Sequence, residues 1–161
     1  MTMSGRDPAE SGPLRLYYRN WRPTFYGRFW TRIWAWAASL GLLPDIVVTL
    51  LVKERKTGRL IGHVLVPVVY EGRRYLVSML GEGSNWVLDQ RAIGGSAFLK
   101  RGRTEAVRLV EVAPEQRAPI LRAWCQIATS GRQHLPIAYD ATLPEFAAIA
   151  ADYPVFRVDP A

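Results

Sequence analysis

Hydrophobic and polar positions divide the chain into a helical first part and a β-rich remainder. From Thr24 to Leu40, large apolar side chains return every three or four residues and form one stripe on a helical wheel, with arginines outside it. Gly41 and Pro44 follow, and both residue types end helices. The pattern predicts an amphipathic N-terminal helix, whose stripe contains Phe25, Phe29, Ile33, Trp36 and Leu40.

Three predicted strands come next. Ile46–Val52 and His63–Tyr70 are rich in β-branched residues and flank a charged hairpin turn, Glu54–Leu60. Pro67 in the second strand has no amide hydrogen and favours an edge strand or a bulge. The third predicted strand is Arg74–Met79.

The second half of the chain mixes short helices with strands. Ser84–Ile93 is a predicted helix with Ser84 as its N-cap and two glycines as its end. A hairpin is predicted to turn at Arg101-Gly102, and Pro114 is placed in the first turn of a helix that runs to about residue 128. The last predicted elements are the helix Leu143–Tyr153 and the strand Pro154–Val158.

This order of elements determines the predicted fold class. Strands come in runs and do not alternate one-for-one with helices, so the pattern favours an α+β antiparallel β-barrel or sheet covered by helices over a parallel sheet. The chain has 161 residues, enough for one domain, predicted over 14–161. Residues 1–13 are polar and interrupted by Gly and Pro, which predicts a disordered tail.

Charge is distributed unevenly along the chain. The segment Ser11–Pro44 contains five arginines, nine aromatic residues and no acidic residue, within a chain of net charge +7. Such a segment fits a polyanionic partner, and two interpretations stay open. The helix packs on the barrel as a lid, or it also rests on an anionic membrane surface through its Trp, Tyr and Arg side chains. Nucleic acid is not an expected partner, because no recognition motif appears.

Several kinds of chemistry lack the residues they need. The chain has one cysteine, Cys125, in an apolar helical context, and two histidines, His63 and His134, so we expect neither a disulfide nor a metal site. A single cysteine fits a reducing, cytoplasmic compartment. No nucleophile elbow or phosphate-binding P-loop is present. If the protein is an enzyme, the sequence therefore predicts that a bound cofactor carries the reaction.

Two turns could hold an anion. In the first, Gly81–Ser84 leads into the predicted helix, whose N-terminal amides favour negative charge. The second is the hairpin turn with Arg55, Lys56 and Arg59, and Arg91 on the short helix could add a further charge. Each turn has an ordinary alternative, because glycine turns and basic hairpin tips are common without any ligand. If the two turns approach one another, they would form one anion-binding pocket.

The residues from 46 to 126 resemble the deazaflavin-dependent nitroreductase family of actinobacteria. The resemblance rests on Arg55-Lys56-Thr57-Gly58, then Ser78, Gly81 and Gly83, then Trp86, Ala92 and Gly94, followed by "FLKRGR" and "APEQRAPILRAW". Two departures alter the charge of the motif. Met79 stands where the family often has Lys or Arg, and Asp89 stands where it usually has Asn.

The resemblance implies a split β-barrel that binds the deazaflavin coenzyme F-420, with FMN as the alternative cofactor. It implies an oxidoreductase that passes a hydride to a nitro, quinone or activated-alkene acceptor. The aromatic, arginine-rich N-terminal segment adds the hypothesis of a lipophilic acceptor and of a location on the inner face of the cell membrane. The alternative is a protein without turnover that binds a flavin, a deazaflavin or a membrane surface. No catalytic residue is assigned, and Tyr139 and His134 are the substrate-side candidates. The predicted cofactor-binding residues are Lys56, Arg59, Leu65, Ser78, Met79, Leu80, Gly81, Asn85, Trp86 and Arg91.

Overall fold

Seven antiparallel strands build the main sheet of the computed structural model, which describes residues 18–19, 22–23 and 47–161. The predicted tail over 1–13 and the predicted helix over 24–40, with its membrane contact, lie outside the described residues. Two short strands, β1 (Tyr18–Arg19) and β2 (Arg22–Pro23), pair with each other. The seven strands of the main sheet are β3 (Val48–Lys53), β4 (Leu60–Leu65), β5 (Pro67–Tyr70), β6 (Arg73–Val77), β7 (Ser96–Arg101), β8 (Arg103–Glu111) and β9 (Val155–Pro160).

Helices occupy the connections between these strands. Their bounds in the described part of the chain are α1 (Asn85–Ile93), α2 (Pro114–Ile127) and α3 (Leu143–Ile149), with a 3-10 turn at Arg132–His134. The turn at Gly102 and the helix that begins at Pro114 confirm the predictions for this half of the chain. The last helix is shorter than predicted, because it ends at Ile149 rather than at Tyr153.

The strand order closes the sheet on itself. It runs β4-β3-β7-β8-β9-β6-β5, so β4 and β5 lie at opposite edges although only Val66 separates them in sequence. The sheet must therefore curl until its two edges meet at this residue. The prediction of one continuous strand over His63–Tyr70 is wrong: its two halves pair with β3 and β6 respectively. Pro67 follows the break, and its missing amide hydrogen is tolerated on an edge strand, as predicted.

Two apolar layers stabilise the barrel. Strand register places Leu50, Leu76 and Phe156 on the inner face, where they pack with Trp86 and Val87 of α1. The opposite face of β5, β6 and β9 is covered by α2 and α3 and forms a second core, which includes Tyr75, Val77, Val155, Leu121, Trp124 and Phe146. The predicted α+β class and split β-barrel are confirmed. Among the residues that the structure describes, no helix is both long and apolar enough to cross a membrane.

Candidate functional site

The hairpin between β3 and β4 presents two basic side chains to solvent. Its tip is closed by backbone hydrogen bonds from the Gly58 N–H to the Glu54 carbonyl (2.8 Å) and from the Glu54 N–H to the Arg59 carbonyl (2.8 Å). The Thr57 hydroxyl also donates to the Glu54 carboxylate. Lys56 and Arg59 are exposed on this closed turn. The backbone thus fixes the turn, while both cations stay accessible to an anion.

A partly buried ion pair joins this hairpin to α1. The backbone N–H of Arg55 and its Nη1 both donate to Oδ1 of Asp89, over 3.1 and 2.7 Å. The Asp89 side chain is 3% exposed and the Arg55 side chain 31%. The contact anchors the basic hairpin beside α1, and it neutralises the acid that stands in place of the asparagine of the resembled family.

The glycine-bearing turn before α1 is held by its own hydrogen bonds. The buried Ser78 hydroxyl donates to the Gly81 carbonyl over 2.8 Å, and the Ser78 N–H donates to the Pro154 carbonyl over 2.9 Å. Gly81 has a φ of +81°, and a Cβ at this position would stand 3.1 Å from the Asp152 carbonyl oxygen. The Ser78 hydroxyl therefore stabilises the turn, and its proton is already donated to the Gly81 carbonyl. A ligand at this turn would be bound by backbone amides rather than by this hydroxyl.

The N-terminus of α1 has no side-chain cap. Ser84 occupies the N-cap position, as predicted, but its side chain makes no capping hydrogen bond, and no acidic residue lies in the first turn. The amides of such an end carry partial positive charge. Asn85 begins the helix and Asp89 lies four residues on, a rise of about 6 Å. The hairpin that Asp89 anchors is thus attached to α1 about one turn from the start of the helix.

Arg91 is engaged by two carboxylates. It donates to Glu82 over 2.5 and 3.1 Å and to Glu111 over 2.5 and 2.9 Å. Hydrogen bonds to Glu111 and Glu82 raise the pKa of Arg91, and the same contact with Arg91 lowers the pKa of Glu111. The sequence suggested that Arg91 could add positive charge to an anion pocket. Its guanidinium instead bridges Glu82 of the glycine turn and Glu111 of β8, and so holds the turn against this strand.

Buried Arg117 completes this network. Its guanidinium donates to Glu111 over 3.0 Å, to the Val112 carbonyl over 2.8 Å and to the Ala150 carbonyl over 3.0 Å. Its Nη1 also lies 3.9 Å from Glu82. We refer to Arg91, Arg117, Glu82 and Glu111 as the arginine network. It connects the glycine turn, α1, β8, α2 and the end of α3.

The large apolar residues of the predicted cofactor-binding set lie at different depths. Trp86 is 4% exposed and packs against Phe156, with ring centroids 5.2 Å apart and a 56° tilt between the planes. Its indole is part of the inner core. Leu65 is half-buried and packs against the same core. Met79 and Leu80 are half-buried beyond the end of β6, and Met79 packs on the outer core.

The two substrate-side candidates lie near α2 and α3. The Arg132 guanidinium stacks over the Tyr139 ring at 4.3 Å, and Gln126 donates to the Tyr139 carbonyl over 2.9 Å. His134 is half-buried, which lowers the pKa of its imidazole. A cleft of about 530 Å³ opens along α2, and it is lined by neither of these candidates and by none of the predicted cofactor-binding residues. Its lining consists of Tyr70, Pro119, Arg122, Ala123, Gln126, Asp140 and Leu143.

Sequence reasoning gave His63 no site role, although its position in the barrel is distinctive. His63 pairs with Leu50 across β3 and β4, so its imidazole lies on the inner face. Its Nε2 is shielded from solvent and has no hydrogen-bond partner among the described residues. The sequence pattern of β4 indicates this inward position, because side chains two residues apart lie on the same face of a strand. His63 therefore shares a face with the apolar residues Ile61 and Leu65. The described residues contain no group of three or more side chains suited to a metal ion.

We expect His63 to make stability depend on pH. Burial lowers its pKa from 6.5 to about 4, and Asp89 opposes this only in part. Between these values the unfolded chain binds the proton and the folded chain does not, so stability is full above pH 6.5 and falls towards pH 4. The loss attributable to this group is about 3 kcal/mol.

The measurement is urea unfolding of the wild type and of His63→Leu at several pH values from 7 to 4. Carboxylates titrate in both proteins, so their contribution cancels in the difference. The stability advantage of the wild type over the variant should shrink as the pH falls. Parallel pH curves for the two proteins would show that the imidazole does not titrate as its burial requires.

Comparison with known proteins identifies the fold. No protein-family profile and no curated protein sequence matches the chain. A solved structure described as a domain-swapped dimer matches with a TM-score of 0.52 and 16% identity, over 83% of this chain and 97% of that one. An F420-H2 dependent reductase matches with a TM-score of 0.51 and 14% identity, over 73% and 96% of the two chains.

A third structure belongs to a protein of unknown function from Agrobacterium tumefaciens. It matches with a TM-score of 0.51 and 11% identity, over 84% of this chain and 54% of that one. Identities this low establish a shared architecture and no shared activity. The chain thus has the split β-barrel fold of these three structures, in agreement with the fold that the family resemblance implies.

Proposed function

We propose that this protein is an oxidoreductase that binds the deazaflavin coenzyme F-420. One observation carries the proposal: two exposed cations, Lys56 and Arg59, lie on a hairpin that the partly buried Arg55–Asp89 pair anchors to α1, a helix whose N-terminus has no side-chain cap. The split-barrel structure named as an F420-H2 dependent reductase, and the ordered motif from Arg55 to Gly94, support the same coenzyme.

The described residues fit the acidic tail of such a coenzyme. Lys56 and Arg59 supply charge at an accessible turn, and the α1 amides supply hydrogen-bond donors without a competing side-chain cap. Ser78 and Gly81 fix the direction of the turn that leads to those amides. Leu65, Met79 and Leu80 are half-buried and retain apolar surface for a flat ring, whereas Trp86 supports the ring site from within the core.

When bound, the reduced coenzyme would supply a hydride for a nitro, quinone or activated-alkene acceptor. The part of this chain is to hold the coenzyme, to orient it and to exclude water from its reactive edge. Tyr139 and His134 are the proposed side chains towards the acceptor, and no residue is assigned as a general acid. FMN would use the same phosphate-binding donors, so the choice between the two coenzymes depends on a direct comparison.

We expect wild-type protein to bind F-420 more tightly than FMN in equilibrium titrations. Replacement of Lys56 by alanine should weaken F-420 binding by about 1–3 kcal/mol, the scale of a charge-assisted hydrogen bond. The melting temperature of the unliganded variant should stay nearly unchanged, because Lys56 is exposed at a turn that the backbone closes.

The matched control is Arg103→Ala, which removes an exposed cation beside the other hairpin turn, at Gly102. This control should bind F-420 as the wild type does. Equal losses in both variants would mean that only the overall charge attracts the coenzyme. Binding of FMN together with no binding of F-420 would reject the proposed coenzyme.

A further inference from the structure

We infer that Asp89 acts as an internal ligand that occupies an anion site of the hairpin and limits how strongly this protein binds phosphate groups. The inference starts from the convergence of two donors of Arg55, its backbone N–H and its Nη1, on the single oxygen Oδ1 of Asp89. An amide and a guanidinium that point at one oxygen form the donor set that also binds a phosphate oxygen.

Burial makes Asp89 a permanent occupant. Its side chain is 3% exposed, so the carboxylate lies beneath the hairpin and cannot swing into solvent to release Arg55. The Arg55 side chain is 31% exposed, so an anion in solution can still reach the outer side of the guanidinium. Such an anion meets a cation whose charge is already compensated, and Lys56 and Arg59 remain as the accessible cations of the turn.

Removal of the Asp89 charge should therefore increase the affinity of the hairpin for phosphate-type anions. Asparagine at position 89 keeps an oxygen that can accept a hydrogen bond from Arg55, but it removes the negative charge. The guanidinium would then add its full charge to those of Lys56 and Arg59. The inference does not depend on a flavin, since it concerns any phosphate-type anion at this turn.

The probe is inorganic pyrophosphate, titrated at constant ionic strength into the wild type and Asp89→Asn. We expect Asp89→Asn to bind pyrophosphate about tenfold more tightly, the effect of one restored charge-assisted contact. Its melting temperature should fall, because a buried ion pair is lost. The matched control is Glu105→Gln, which removes an equal charge from the exposed Arg74–Glu105 pair and should leave pyrophosphate affinity unchanged.

A double variant keeps the test decisive. In the Asp89→Asn protein, the added change Arg55→Met should abolish the gain and return the affinity to within twofold of the wild type, because both charges of the pair are then absent. If Asp89→Asn alone does not fold, the double variant still tests the inference, because a tenfold loss relative to the wild type would show that Arg55 is already available to anions. Unchanged pyrophosphate affinity in a folded Asp89→Asn protein would also overturn it.

Coenzyme titrations separate this inference from the proposed function. F-420 should bind Asp89→Asn more tightly than the wild type, while the deazaflavin without its phosphate-bearing tail should bind both proteins equally. If pyrophosphate affinity rises as expected but neither deazaflavin binds either protein, the internal ligand stands and the proposed coenzyme does not. If both deazaflavins bind and pyrophosphate affinity does not rise, the proposed function stands and the internal ligand does not.

Discussion

Replacement of Arg117 by methionine is expected to lower the free energy of unfolding by about 3–5 kcal/mol, the scale for removal of one partner from a buried ion pair. The guanidinium serves Glu111 and the carbonyls of Val112 and Ala150 at once. Methionine fills a similar volume but donates nothing, so the Ala150 and Val112 carbonyls lose this donor and Glu111 keeps only Arg91. Urea unfolding at pH 7 measures the loss.

Two comparisons test the cause of that loss. Arg117→Lys should also be strongly destabilising, because one ammonium cannot reproduce the planar set of donors that serves Glu111 and the carbonyls of Val112, Ala150 and Ala151. Arg122→Met removes the same charge from an exposed position of the same helix, and it should change stability by about 0.5 kcal/mol or less. Similar losses at positions 117 and 122 would show that charge or helix propensity, rather than the buried hydrogen bonds, determines the result.

Gly95→Ala is expected to destabilise the protein by about 3–5 kcal/mol, at the upper end for single substitutions. Gly95 has a φ of +93°, and a Cβ added there would lie 2.4 Å from the carbonyl oxygen of Leu109. That oxygen belongs to β8, and the Leu109 N–H donates to the Gly95 carbonyl over 2.8 Å. Neither partner is a flexible side chain, so the end of α1 would have to move away from the barrel.

The neighbouring glycine supplies the control. Gly94 has a φ of +71°, but a Cβ there would meet nothing within 4 Å. Gly94→Ala should therefore cost only the left-handed backbone conformation, about 1–2 kcal/mol. Thermal or urea unfolding of both variants separates backbone strain from contact with β8. Equal losses would mean that the approach of Leu109 adds nothing to the strain.

Local patterns in the sequence predicted the elements correctly where the deciding physics is local. Pro114 at the start of a helix, Gly102 at a hairpin turn and Gly94 past the end of α1 each depend on backbone angles that the residue itself favours or permits. The antiparallel class also followed, because short connections between β-branched segments leave few other pairings. The more specific prediction of a split β-barrel came from the family resemblance.

Local patterns did not predict which strands are neighbours. The segment His63–Tyr70 carries one β pattern, yet its halves lie at the two ends of the strand order. The curvature of the whole sheet determines where this segment divides, and that curvature cannot be inferred from the eight residues of the segment alone. The inward position of His63 follows from the same curvature together with its pairing to Leu50.

The sequence by itself determined most of the elements and the turns between them, including the basic hairpin turn and the glycine-bearing turn. Only the tertiary structure decided how the charged side chains are used. In the folded chain, Arg55 pairs with Asp89, which lies 34 residues away, and Arg91 pairs with Glu111, which lies 20 residues away. The physical reason is that a charged group binds the partner that folding brings within about 3 Å, whatever their separation in sequence.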